Sequence, residues 1–343
     1  MSTPRNTLPM SADTDNTYAI DVQGLVRTFG PVRAVDGVDL KVRRGEIFGF
    51  LGPNGAGKTT VIRMLVTLLA PTGGSINVAG YDVVSQPGEV RLRIGVALQD
   101  AALDVKQTGR ELLRLQAQLY GLSRRQAAQR IADLSDLIDI GEAMDRLIGT
   151  YSGGMKRRLD LAAALIHSPE VLFLDEPTTG LDPVSRSRVW EEVRAINERL
   201  GVTIFLTTQY LEEADALAHR VGIISRGRLA AQGTPEELKR ARGSDLIIAK
   251  VDGDTEVAVE ALMGTGRVNG VEVHGSELTA SVGNGAAVIS AVALALAQSG
   301  VAVQELTLRT PTLDDVFLQV TGERLQDEAA DQQWSQEDGE AQA

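Results

Sequence analysis

The chain has 343 residues, of which 43% are hydrophobic and 23% charged, with a formal net charge of −12 and no cysteine. Such values describe a globular protein long enough for a sizeable core, with length alone suggesting two domains. The acidic balance excludes a nucleic-acid binder that works through a general basic surface, and the lack of cysteine excludes disulfides and thiolate metal sites.

Residues 1–17 are polar and pattern-free, which predicts a disordered tail. The start lacks an apolar segment of signal-peptide length, so a cytoplasmic chain is expected. No stretch reaches the ~18 consecutive apolar residues of a membrane span; the nearest, Ala286 to Gln298, is short and rich in alanine and reads as a buried amphipathic helix. From Tyr18 to Gly243 strand-like and helix-like patterns alternate, as in an α/β domain.

The stretch EIFGFLGPNGAGKTTVIRML places Gly52, Pro53, Asn54, Gly55, Ala56, Gly57, Lys58 and Thr59 in the pattern G-x-x-x-x-G-K-[ST], followed by Thr60. It lies between an apolar strand, Ile47 to Leu51, and a helix expected over Val61 to Leu69. Glycines let successive N–H groups turn toward phosphate oxygens, and the helix N-terminus adds its positive dipole end. In that pattern Lys58 reaches the β- and γ-phosphates and Thr59 places its hydroxyl on Mg²⁺. Further on, RELLRLQAQLYGL is an amphipathic helix.

In TYSGGMKRRLDLAAALIHSPE, Ser152, Gly153 and Gly154 lead a helix with Met155, Leu159, Ala163 and Ile166 near one face. The turn is either a plain helix cap or a source of N–H donors for a ligand. In VLFLDEPTTGLD, four apolar residues run into Asp175, at the exit of a buried strand. Asp175 is placed for a Mg²⁺-water contact and Glu176 to act as general base; a solvated turn ending a strand reads the same way. In TIFLTTQYLEEADAL, Gln209 stands at the carboxyl end of an apolar strand, where open α/β sheets keep ligand contacts. It either touches the nucleotide or caps the helix beginning at Leu211.

Residues 246 to 309 read as β-α-β-β-α-β, a ferredoxin-like α+β domain. Its one histidine, His274, is expected on the surface at a strand end. The tail 323–343 is acidic and poor in apolar residues, so it too is expected to be disordered; Trp334 there is a stray aromatic or a weak docking point.

GPNGAGKT, Gln99 in GVALQD, YSGGM, VLFLDEP, GLD and the strand leading to position 209, in this order, resemble the nucleotide-binding subunits of ABC transporters. YSGGM, TTQYLEEAD and PTLDDVFLQVTG resemble, more narrowly, the daunorubicin-resistance group of ATP-binding subunits of drug and glycolipid exporters. The resemblance implies a P-loop NTPase of the ABC cassette type over 18–243, with a helical subdomain over about 100–165, and an assembly or regulatory domain over 244–322. It also implies ATP and Mg²⁺, and a head-to-tail homodimer in which each nucleotide lies between one P-loop and the partner's SGG turn. A separate integral membrane permease, and so a peripheral place at the cytoplasmic face of the cell membrane, follow from it as well.

Residue by residue, Phe29 resembles the aromatic that stacks on adenine, or else packs as part of its strand. Gln99 resembles the glutamine that bridges Mg²⁺ or water and the permease, and Asp182 the acid that crosses the dimer. The tip from Ala101 to Thr108 resembles the permease contact.

Two positions depart from the usual pattern: Tyr151 and Met155 flank the SGG core, and Gln209 stands where a histidine is usual. The resulting expectation is an ATPase that drives export of a hydrophobic drug or lipid-like compound. A degenerate ATP-binding regulatory module, and a soluble ABC ATPase not coupled to transport, are the other readings.

Overall fold

A computed structural model describes residues 17–98 and 103–322. Gln99 and the segments 1–16, 100–102 and 323–343, with the expectations that fall on them, lie outside the described residues. By internal contacts the chain divides into two compact units, one ending at Gln232 and the other beginning at Gly233.

The first unit is built on a six-stranded sheet with the order Arg228–Gly233, Arg220–Ser225, Ile47–Leu51, Thr203–Thr208, Val171–Asp175, Ile94–Ala97. From Arg220–Ser225 to Ile94–Ala97 each strand pairs in parallel with its neighbour. Every residue of the runs IFGFL, VLFLD and TIFLTT is buried, because a parallel sheet is covered on both faces and its strands must be apolar throughout. Phe205 forms the centre of the interior, with the Phe48, Phe50 and Phe173 rings at 5.8, 5.5 and 5.7 Å between centroids. A second, antiparallel sheet joins Val32–Arg43, Tyr18–Phe29, Gly73–Val78 and Tyr81–Asp82.

The helical part comprises Gly109–Leu119, Arg124–Leu137 and Gly153–Leu165. The first two start in capping boxes, Thr108 with Glu111 and Ser123 with Gln126, so their ends are set locally. Leu112, Leu113 and Ala117 enter the core, whereas Leu119 stays exposed. The helix Gly153–Leu165 buries more than the face that periodicity suggested: Arg157, Leu161, Ala162 and Ala164 go inside as well as Leu159. It is wedged between the other helices and the strand Ile94–Ala97, where a side chain at Gly95 would collide with the Ala164 carbonyl.

The second unit has the order Asp245–Asp252, Thr255–Gly264, Val268–His274, Glu277–Val282, Gly285–Gln298, Ala302–Arg309. Its antiparallel sheet places the strands from Asp245, Val268, Glu277 and Ala302 in the order second, third, first, fourth, the ferredoxin-like arrangement. The helix Gly285–Gln298 turns Val288, Val292 and Leu296 into the core and leaves Leu294 exposed. Among the described residues no helix is long and apolar enough to cross a membrane. His274 is exposed at the end of its strand. The helix Pro235–Arg242 packs on Leu313–Thr321 within this unit, so the division by contacts falls at 232/233 and not at the expected 243/244.

Candidate functional site

The parallel registers assemble the site. Leu51 pairs with Thr208, and Asp175 pairs with Thr207, so the first residue of the glycine loop, Gly52, and the acid Glu176 leave their strands on either side of the segment that carries Gln209. Three stretches far apart in sequence thus meet at the carboxyl ends of adjacent strands.

The glycine loop needs its glycines. A Cβ at Gly52 would lie 2.6 Å from the Ile224 carbonyl oxygen, and one at Gly57 2.8 Å from that of Ala34. Gly55 and Gly57 have φ of 78° and 108°, in the left-handed region. The helix following them is Lys58–Leu65, three residues earlier than expected, because Gly57 itself is the cap and the chain turns helical at once. Thr67, at φ 65°, ends the run that was expected to reach Leu69. No side chain caps this helix. Its first N–H groups therefore remain as donors for an anion. Asn54, Gly55 and Thr59 are exposed, Pro53 and Thr60 half-buried, and Ala56 buried.

Lys58 is 4% exposed. Its Nζ donates to the carbonyls of Gly52, at 2.7 Å, and Pro53, at 3.3 Å, and lies 3.4 Å from Glu176 Oε1. Burial pulls the ammonium below the ordinary lysine range, opposed by the neighbouring charges of Glu176 and Asp175. The buried Asp175 accepts from the Thr207 hydroxyl at 2.5 Å. Glu176, at φ 47°, donates its N–H to both the Thr207 carbonyl and the Thr207 hydroxyl at 3.1 Å. Thr207 thus holds the carboxylate of Asp175 and the main chain of Glu176.

Gln209 is buried, and among the described residues its side chain makes no hydrogen bond. The helix Leu211–Leu217 has Tyr210 at its N-cap and no side-chain cap bond. The capping alternative therefore finds no support in the geometry.

Other candidates stand apart from this cluster: among the described residues no hydrogen bond or ion pair joins Phe29, Ser152, Gly153, Gly154 or Asp182 to Gly52–Thr60. Ser152 caps its helix by accepting from the Met155 N–H at 3.3 Å, and the space above Gly153 and Gly154 is open. Tyr151 is buried, donating to the Ala143 carbonyl at 2.5 Å, so its departure from the usual residue serves the helical core. Asp182 accepts from the N–H groups of Val184 and Ser185 and from the Ser185 hydroxyl, which holds its carboxyl below the usual range. Phe29 is 45% exposed with the Arg27 guanidinium 4.5 Å above its ring, so it is not core packing.

Thr207 and the buried Glu213 were not singled out by sequence. Thr207 sat in plain view in LTTQ, but nothing in a strand pattern says which of two threonines faces a neighbouring carboxylate. Glu213 read as one of two acids opening a helix.

A buried lysine and paired carboxylates grouped around a glycine loop, at the carboxyl edge of a parallel sheet, define a P-loop nucleotide-binding cassette. The chain belongs to the ABC transporter family: the family model described as ABC transporter matches residues 35–179, and the model described as ATP-binding protein DrrA1-3-like, C-terminal domain, matches residues 233–321. It is 47% identical over 307 residues to the daunorubicin resistance ATP-binding protein DrrA3 of Streptomyces coeruleorubidus, covering 89% of this chain and 96% of that protein. To the daunorubicin/doxorubicin resistance ATP-binding protein DrrA of Streptomyces peucetius it is 45% identical over 330 residues, 94% of this chain and 99% of that one. Among solved structures, cbiO1 of Clostridium perfringens, part of the ABC transporter complex cbiONQ, superposes with a TM-score of 0.62 at 28% identity, over 65% of this chain and 90% of that one. The protein is an ABC-type ATPase that binds nucleotide.

Proposed function

We propose that this chain is the ATP-hydrolysing subunit of an exporter, driving efflux of a hydrophobic drug or lipid-like compound through a separate membrane permease at the cytoplasmic face. What supports hydrolysis most is the register that sets Gly52, Glu176 and Gln209 on adjacent strand ends. What supports drug efflux is the resistance function in the names of relatives matched along nearly their whole length.

In this reading the N–H groups from Gly55 to Thr60 and the Lys58 ammonium hold the phosphates of ATP. Lys58 exchanges its carbonyl partners for phosphate oxygens, and so keeps its charge paired. The Glu176 carboxylate takes the proton of the attacking water, and the Gln209 amide N–H₂ donates to the γ-phosphate, as a neutral histidine N–H would. Phe29, exposed at its strand end, stacks on the base; stacking tolerates either purine.

Among the described residues no cluster of three or more His, Cys, Asp or Glu could hold a metal by itself, while Thr59 and Asp175 offer the hard oxygens that Mg²⁺ prefers. This fits a metal that takes most of its ligands from phosphate and water, with Thr59, Asp175 and Gln99 as the protein's share. Bound there, Mg²⁺ would supply charge neutralisation on the β- and γ-phosphate oxygens. The open turn Ser152-Gly153-Gly154 and Asp182 serve the nucleotide of a second copy in a head-to-tail homodimer. The second unit acts in assembly or regulation; truncation after Gln232 should keep ATP binding and weaken association with the partner copy or the permease.

The test is ATP-dependent uptake of a fluorescent hydrophobic drug by inverted membrane vesicles containing the chain and its permease. Uptake should vanish with Glu176→Gln. Hydrolysis without uptake, unaffected by the permease, would favour an uncoupled ATPase; binding without hydrolysis would favour a regulatory module.

A further inference from the structure

Glu213 is a carboxyl with no exposed surface, seated beside the site rather than in it. It lies on the short helix that follows Gln209, Leu211–Leu217. Its Oε1 accepts from Trp190 Nε1 at 3.0 Å, and Trp190 belongs to the helix Pro183–Leu200 that Asp182 caps. Its Oε2 is buried without a hydrogen-bond partner, and so is the hydroxyl oxygen of Thr178, two residues after Glu176. The Thr178 and Thr208 hydroxyls both face this carboxyl; that of Thr208 accepts from the Tyr210 N–H at 2.9 Å and keeps its own O–H to donate. Arg186, from the same helix as Trp190, is 4.2 Å above the Tyr210 ring.

One side chain therefore touches the segment after Glu176, the helix after Asp182 and the strand end before Gln209. An ionised carboxylate fully removed from water is costly, with only the neutral groups of Thr208, Thr178 and Trp190 and the nearby Arg186 charge to offset the loss. Burial accordingly favours the neutral acid. The neutral form has an O–H to offer where two unpartnered oxygens face each other.

We propose that Glu213 is a positioning residue that holds the Gln209 segment against the segment running from Glu176 to Asp182. It touches neither nucleotide nor water in this role. Trp190 and Thr178 are the points through which the two segments are kept in one relative placement. The proposal rests on the reading that Gln209 and Glu176 act together on the γ-phosphate.

The experiment is a cycle of single-turnover hydrolysis, ATP affinity and melting temperature on the full-length chain. Glu213→Gln keeps an acceptor for Trp190 and a donor toward Thr178 without needing a proton. It is expected within about threefold of the parent rate, since an equivalent bond is retained. Glu213→Met keeps the volume and removes both bonds; it should bind ATP as before and turn over ~tenfold or more slowly, the order of one lost hydrogen bond. In a Gln209→Ala background, Glu213→Met should add little, because it acts through Gln209. A parent-like rate in Glu213→Met, or a full further loss in the Gln209→Ala background, overturns the proposal. An unchanged rate in Gln209→Ala alone overturns instead the reading on which it rests. Should Glu213→Met fail to fold, Trp190→Phe removes the Nε1–H donor while keeping a ring. A slower rate at unchanged ATP affinity then supports the proposal, and an unchanged rate refutes it.

Discussion

The two units differ in which helix ends they leave uncapped and in where they bury polar groups. In the second unit the helices Pro235–Arg242, Thr255–Gly264, Gly285–Gln298 and Leu313–Thr321 each begin with a side-chain cap, from Thr234, Asp254, Asn284 and Thr312. In the first, Thr108, Ser123, Ser152 and Asp182 cap their helices in the same way, but the helices Lys58–Leu65 and Leu211–Leu217, at the ends of neighbouring strands, begin without a side-chain cap. Among the described residues the buried polar side chains, from Glu46 to Glu213, all fall in the first unit, while the core of the second is wholly apolar. A unit that satisfies its own donors is a scaffold; one that leaves donors free and buries charge has kept them for a ligand.

The largest effect that would break this contrast is at Glu176. Glu176→Gln should slow hydrolysis by ~10²–10⁴-fold, the usual worth of a general base, with ATP binding intact. Near-normal turnover would make the buried charge of the first unit structural after all.

Asp160 tests the same contrast through pH. Burial pushes its carboxyl up to about 6, against the opposing pull of Arg157, whose Nη1 lies 3.3 Å away. A raised carboxyl pKa means that the folded state holds the proton longer than the unfolded one. Stability should therefore fall as pH rises from ~4 to ~6 and level off above, by about 3 kcal/mol as an upper figure. Asp160→Asn should remove that slope from the melting curves; a slope that survives assigns it to other groups.

Gln209→Ala should lower kcat by about ten- to over a hundredfold if its hydrogen bond is made mainly in the transition state. The melting temperature should hardly move, since the side chain makes no protein hydrogen bond to lose. Gln209→His should keep substantial activity and add a pH dependence near the histidine pKa. A lowered melting point with kcat unchanged would return Gln209 to a structural role.

The smallest effect belongs to the second unit. Thr312→Ala removes one half of the capping box with Asp315 and should cost about 1 kcal/mol of that unit's stability. ATP hydrolysis per folded molecule should be unchanged. A large loss of hydrolysis would mean that the scaffold unit also serves the site.

Much of this molecule is local and so was legible in the chain. The glycine loop is readable because N–H groups can be aimed at phosphate only by a few left-handed positions at fixed spacing, and Gly55 and Gly57 occupy them. The runs IFGFL, VLFLD and TIFLTT announce strands covered on both faces, and the β-α-β-β-α-β pattern announces the second unit, because burial periodicity is a property of each segment alone. The helix start at Lys58 was missed by three residues, since the loop's last glycine is also its cap. What only the tertiary structure decided is pairing between distant strands. The registers of Leu51 with Thr208 and Asp175 with Thr207 set Gly52, Glu176 and Gln209 together, and no local pattern encodes a partner on a strand so distant in the chain. The same holds for Thr207 between the Asp175 carboxylate and the Glu176 N–H and for the sealed carboxyl of Glu213: a polar letter in a sequence does not say whether water can reach it, and it is the packing of other segments around it that removes the water.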